Sequence, residues 1–76
     1  MTKTKRELMK ESILNLVRLR SAGTPADLAG RFGISERSIK RIISELKREG
    51  YRIVFWHGGN TYILEYDVEE DIKRAV

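Results

Sequence analysis

Apolar positions recur along the first fifty residues at spacings of three and four, which is the period of an α-helix packed on one side. The run Leu8, Met9, Ile13, Leu16, Val17 and Leu19 predicts a first helix within residues 1–23. Lys5, Lys10, Glu11 and Arg18 fall mainly outside its apolar sector. Thr4 followed by Glu7 is a capping-box pattern for its start, and Gly23 stands where a left-handed C-terminal residue would end it. Leu14 lies off the sector, so it is either partly exposed or covered by another element. Thr24-Pro25 opens a second, short helix, with threonine as cap and proline in the first turn, where its missing N–H is harmless. Asp27 adds negative charge at the positive end of the helix dipole, Leu28, Ala29 and Phe32 form an inward face, and Gly33 stops the helix. Ser35 then caps a third helix with Glu36 in its first turn. Ile39, Ile42, Ile43 and Leu46 make a clean i, i+3, i+4, i+7 stripe before Gly50.

Beyond Gly50 the period falls to two. Residues 51–57 and 60–66 are rich in β-branched and aromatic side chains and are separated by Gly58-Gly59. This predicts a hairpin with a two-residue turn that needs positive φ at both glycines. The implied register pairs His57 with Asn60, Phe55 with Tyr62 and Ile53 with Leu64. Ile53, Phe55, Tyr62 and Leu64 then share a core face. Val54, Trp56, Thr61 and Ile63 share an outer face apolar enough to need a cover. Asp67, with Glu70 three residues on, resembles a further cap. Val68, Ile72, Ala75 and Val76 suggest a short acidic C-terminal helix over 67–76, too short to stand alone.

The 76 residues make one small α+β domain, mainly α, covering 1–76. With no cysteine and a single histidine, His57, there is neither a disulfide framework nor a thiolate or all-imidazole metal site. No apolar run approaches membrane-spanning length and the N-terminus is too polar for a signal peptide, so a cytoplasmic protein without membrane contact is expected. The net charge of +4 hides an asymmetry. Residues 1–53 hold 13 Lys/Arg against 6 Asp/Glu, and residues 54–76 hold 2 against 5. A basic body with an acidic tail points to an anionic partner for the first two-thirds of the chain.

Five of those 13 cations lie on the third helix. With Ile39 at 0° and 100° per residue, Arg37, Arg41, Ser44 and Arg48 fall at about 160°, 200°, 140° and 180°, opposite the apolar stripe. Lys40 and Lys47 flank them at about 100° and 80°. Arginine can grip guanine O6 and N7 with two hydrogen bonds, and serine can donate to or accept from most base edges. A solvated face laced with ion pairs is the competing reading, through Glu45 with Arg41 and Glu36 with Lys40 at i, i+4. The preceding short capped helix and three-residue turn favour the first, because they brace the third helix and leave its charged face open.

The span 24–50 closely resembles a helix-turn-helix. The chain over roughly 8–65 resembles the winged-helix repressors of the biotin-operon-repressor and deoxyribonucleoside-repressor type. The resemblance rests on Leu28-Ala29, Phe32-Gly33-Ile34-Ser35, Ile39, Ile42, Leu46-Lys47-Arg48-Glu49-Gly50 and, for the wing over 51–66, Tyr62 and Leu64. It implies that Ala29 is the small residue letting two helices approach and Gly33 the turn glycine. It also implies groove contacts by Ser35, Arg37, Ser38, Lys40, Arg41 and Ser44, and a phosphate anchor at Thr24 through its hydroxyl and adjacent amides. Phosphate contacts by Lys47 and Arg48 lie at the groove edge. The wing tip departs from the family, since His57-Gly58-Gly59-Asn60-Thr61 carries no lysine or arginine. His57 and Asn60 are weak candidates that read first as turn residues. Trp56 reads as packing rather than stacking on a base. No nucleophile–base pair is present, and Gly58-Gly59 lacks the following helix of a phosphate loop, so no enzyme, cofactor, metal or small-molecule ligand is expected. The expected function is sequence-specific binding of double-stranded DNA by a small transcriptional regulator, with further phosphate contacts from the first helix. A homodimer through the outer hairpin face and the C-terminal helix is an associated expectation. The alternative is a winged-helix protein–protein interaction module without DNA binding, favoured by the uncharged wing and the Val54-Trp56-Ile63 surface.

Overall fold

Each of the three helices begins on the hydroxyl residue that the pattern singles out. In the computed structural model, which describes residues 3–67, α1 spans Lys5–Arg18, α2 spans Pro25–Phe32 and α3 spans Glu36–Arg48. Thr4, Thr24 and Ser35 are their N-caps, each accepting from the amide three residues on. At Thr24 the capping box is complete, because the Asp27 carboxylate accepts from the Thr24 amide at 2.9 Å. Two antiparallel strands follow, β1 (Arg52–Trp56) and β2 (Thr61–Tyr66). The described residues therefore form an α+β unit of three helices and one hairpin. Residues 68–76, nearly all of the expected C-terminal helix, lie outside the described residues. Asp67, its expected cap, holds a two-pronged ion pair with Arg18 of α1 at 2.7 and 3.1 Å.

The core draws on every element: Ile13, Leu14 and Val17 of α1, Leu28 of α2, the full Ile39, Ile42, Ile43 and Leu46 stripe of α3, and Ile53 and Tyr62 of the hairpin. Ala29 and Phe32 of α2 pack against it, as their spacing predicts. Fully burying one such isoleucine or leucine is worth about 1.5–3 kcal/mol.

The apolar sector of α1 differs from the predicted one. Leu8 and Leu19 are 52% and 72% exposed, whereas Leu14 is buried in a cleft shared with Leu46 and Tyr51. Measured from Ile13, Leu8 and Leu19 sit about 140° and 120° away round the helix, so neither can face the core. Nor does α1 reach Gly23. It stops after Arg18, and Arg20 takes the left-handed conformation (φ 58°) that glycine usually fills. The Arg20 amide donates to the Val17 carbonyl (3.1 Å) and the Ser21 amide to the Leu16 carbonyl (2.9 Å), the paired bonds of a left-handed helix cap. Gly23 (φ 76°) has a different task. Its amide donates to Thr61 Oγ1 (2.8 Å) and its carbonyl accepts from the Tyr62 amide (3.3 Å), docking the α1–α2 connection on the start of β2. That contact buries Thr61, which alternation had placed on the outer face.

The hairpin keeps the predicted register at Ile53–Leu64 and Phe55–Tyr62, with an irregularity between Arg52 and Ile53. Its turn is not the predicted one. Neither Gly58 nor Gly59 has positive φ, and the loop runs over four residues, His57 to Asn60, closed by an Asn60 amide to His57 carbonyl bond, with Asn60 left-handed (φ 51°). His57 and Asn60 are thus loop residues and not a ladder pair. The glycines are needed for closeness, because the Trp56 indole folds over them. A Cβ at Gly59 would fall against the ring's Cε3–Cζ3 edge, and one at Gly58 would lie 2.8 Å from Nε1. Trp56 therefore packs on its own turn, remaining 46% exposed, while Val54 and Ile63 of the outer face are half-buried.

Gly23→Ala meets two obstacles, a left-handed φ and an Asp27 Oδ2 only 2.6 Å from the new Cβ. It is expected to lower unfolding free energy by about 1–3 kcal/mol in urea titration. Arg20→Gly relieves a non-glycine left-handed residue without such a neighbour, and is expected to be neutral or to stabilise by up to about 1 kcal/mol. Equal effects at the two sites would contradict this assignment of the α1 end.

Candidate nucleic-acid interface

Because Ile39, Ile42, Ile43 and Leu46 are each at most 3% exposed, α3 has one rotational setting. The opposite face is then forced outward: Arg37, Lys40, Arg41, Ser44, Lys47 and Arg48 are all exposed. Among the described residues none of these five cations takes part in an ion pair. The intrahelical pairs that would make this an ordinary solvated face, Glu45 with Arg41 and Glu36 with Lys40, do not form. Glu45, and Glu49 just beyond the end of α3, turn to α1 instead. Glu45 Oε1 accepts from Arg6 Nη2 at 2.8 Å, its Oε2 lies 3.9 Å from Lys10 Nζ, and Glu49 pairs with the same lysine. The hydrogen bond from Arg6 holds the Glu45 carboxyl below the usual carboxylate range against a small opposing effect of burial. The charges of Arg6, Lys10 and Arg41 act in the same direction as that bond.

The hydroxyl candidates are less free than the cations. Ser35 Oγ accepts from the Ser38 amide (3.1 Å) and donates to Ser38 Oγ (3.0 Å), so Ser35 serves first as the cap of α3 and Ser38 as its partner. Thr24 Oγ1 accepts from the Asp27 amide at 3.1 Å, and the Thr24 amide is spent on the Asp27 carboxylate. Those bonds hold the Asp27 carboxyl below its ordinary pKa. The expected anchor at Thr24 is therefore reduced. Two of its polar groups are committed, Pro25 has no N–H, and a carboxylate stands at the helix end, so the hydroxyl proton is what Thr24 itself retains for a phosphate.

At the hairpin tip His57 and Asn60 are exposed, with the His57 ring edge-on to Phe55 at 5.0 Å. The hairpin base contributes a cation that the helical pattern could not reveal. Arg52, exposed on β1, lines an open groove of about 630 Å³ with Lys47, Val54 and Tyr66, and so continues the basic surface from the end of α3. The only sequence signal was its position two residues beyond Gly50. Arg6 and Lys10 of α1, by contrast, are taken up by Glu45 and Glu49. No helix among the described residues is long and apolar enough to cross a membrane.

Both Glu45 and Asp27 have folded-state pKa values below their unfolded ones. What they add to stability is therefore present above pH of about 4 and lost as pH falls through the depressed folded values. In a carbon-detected NMR titration both midpoints should lie below those of a denatured control. Arg6→Ala should raise the Glu45 midpoint and leave that of Asp27 in place. A Glu45 midpoint unmoved in that variant would show that Arg6 is not its partner in solution.

The chain matches no family model, and searches of curated proteins and of solved structures return no match. The chemistry of this surface has to be read from its own geometry.

Proposed function

We propose that this chain is a winged-helix domain that binds double-stranded DNA sequence-specifically, as a small transcriptional regulator reading the major groove with α3. The observation that carries the reading is the row of exposed, unpaired cations on α3, opposite a fully buried apolar stripe. A major groove about 12 Å wide admits one helix, and that helix needs hydrogen-bond donors on its outer side. Arg37 and Arg41 lie one turn apart on that side, with Ser44 next in line, and are the base-reading group. Lys40, Lys47, Arg48 and Arg52 suit the flanking phosphates, where a point charge suffices. The Thr24 hydroxyl adds a neutral phosphate contact at the start of α2. The tip of the hairpin offers no cation, so its part in binding is secondary to that of Arg52 at the base.

Four phosphate-directed cations imply a slope of log K against log salt of about −4, so a rise from about 50 to about 200 mM salt should weaken binding on the order of a hundredfold. Fluorescence anisotropy with random duplex DNA at the two salt concentrations measures this directly. Arg37→Ala/Arg41→Ala, still folded by circular dichroism, should bind at least about tenfold more weakly. No duplex binding at low salt, or an unaffected double variant, overturns the proposal and leaves the protein-interaction reading. Where duplex binding is found, selection from random oligonucleotides supplies the target sequence.

A further inference from the structure

Two acids at the C-terminal end of α3, Glu45 and the cap residue Glu49, lie on one flank. Glu45 and Glu49 lie about 40° and 80° round the helix from Arg41, on the side facing α1. At that distance a bare carboxylate would act on any phosphate approaching Arg41 or Arg48, because charges within about 8–10 Å are incompletely screened. Two cations from the N-terminal half of α1 reach across to them. Arg6 binds Glu45 at 2.8 Å, and Lys10 is shared between Glu45 and Glu49. These side chains are between a quarter and a half exposed, a setting in which ion pairs add little to stability. Their arrangement nevertheless decides which charges the outer face of α3 displays.

We infer that Arg6 and Lys10 are positioning residues for DNA binding: they do not touch the duplex but mask Glu45 and Glu49, so that no bare carboxylate borders Arg41 and Arg48 on the α1 side. This rests on the DNA-binding reading of α3. It departs from the simpler expectation that basic residues of the first helix contact phosphates, because both headgroups are already engaged by carboxylates of the neighbouring helix.

Two mechanisms predict different patterns in one set of anisotropy measurements. The variant Arg6→Gln/Lys10→Gln exposes both acids, and should bind duplex DNA about three- to tenfold more weakly at about 50 mM salt. Adding Glu45→Gln/Glu49→Gln removes what needed masking, and should restore affinity to within about twofold of the unmodified protein. The dependence of log K on log salt should be the same in all three proteins, since no phosphate contact has been lost. If Arg6 and Lys10 bind phosphates directly, the slope should fall in magnitude by about 0.9 for each, and should stay reduced in the fourfold variant. That result, or failure of the added substitutions to restore affinity, overturns the masking role. Thermal unfolding of each variant separates these outcomes from loss of fold, and Arg6→Gln alone gives a milder variant with the same expected rescue by Glu45→Gln. Absence of duplex binding by the unmodified protein would overturn the proposed function and this inference together, whereas binding without rescue overturns the inference alone.

Discussion

Four side chains of α3, Ile39, Ile42, Ile43 and Leu46, point into the core and are almost completely removed from water. A helix is rigid about its own axis, so burying one face sets the direction of every other side chain on it. Truncating any of the four would cost about 2–5 kcal/mol, a large share of what so small a domain can command. Rotating α3 by even one position would bring a cation into the core. The outward direction of Arg37, Arg41, Ser44 and Arg48 is thus a by-product of hydrophobic burial, maintained without any polar contact of their own. A surface held in this way can offer unpaired charge continuously, because no competing interaction is needed to orient it.

The same core brings α1 beside α3, and this sorts the charges. A helix bearing both signs usually settles them within itself, at i, i+4. Here the acids meet Arg6 and Lys10 across the helix interface, and the cations of α3 are left over. Because exposed pairs of this kind are worth between nothing and about 1 kcal/mol, their consequence is in the electrostatic surface rather than in stability. The unpaired cations of α3 therefore stand on its outer face, and Arg52 lies beside Lys47 at the foot of the hairpin.

Much of this was legible in the sequence, and the part that was not has a common cause. The caps at Thr4, Thr24 and Ser35, the buried stripe of α3 and the Ile53–Leu64 register depend on residues within a few positions or on strict alternation, and such signals survive without tertiary information. The misreadings come from packing contacts that the local pattern does not show, between distant segments at Gly23 and Leu14 and between near neighbours at Gly58-Gly59. Gly23 resembled a helix terminator because nothing nearby shows that β2 would dock on it, and Arg20 does that work at a glycine-like φ. Gly58-Gly59 carried the composition of a two-residue turn, but the requirement it answers is room for the Trp56 indole. Leu14 needed the cleft formed with Leu46 and Tyr51 to be understood as core. At the candidate site the cations of α3 followed from periodicity alone. The engagement of Thr24 and Ser35 followed from their second role as caps, since each hydroxyl accepts from its own helix and that of Ser35 also donates its proton to Ser38 Oγ.

The docking of Gly23 also limits how the domain can move. Its amide and carbonyl are both bonded to the start of β2, and the next residue, Thr24, is locked to Asp27 at the head of α2. The hairpin, the α1–α2 connection and the beginning of α2 are therefore joined through three backbone groups of two consecutive residues, Gly23 and Thr24, and α2 packs on α3 in turn. A hairpin tied beside its turn, at Thr61 and Tyr62, cannot swing independently toward a ligand, and its tip is further stiffened by Trp56 lying on the turn. In the proposed DNA-binding role, adaptation to a duplex would then come from the long side chains of α3 and from the DNA. Rotamer freedom is greatest in arginine and lysine, and ordering them is part of the cost of binding. A rigid frame bearing mobile cations suits electrostatic capture first and base discrimination second, with discrimination confined to the few side chains, Arg37, Arg41 and Ser44, nearest the centre of the exposed face.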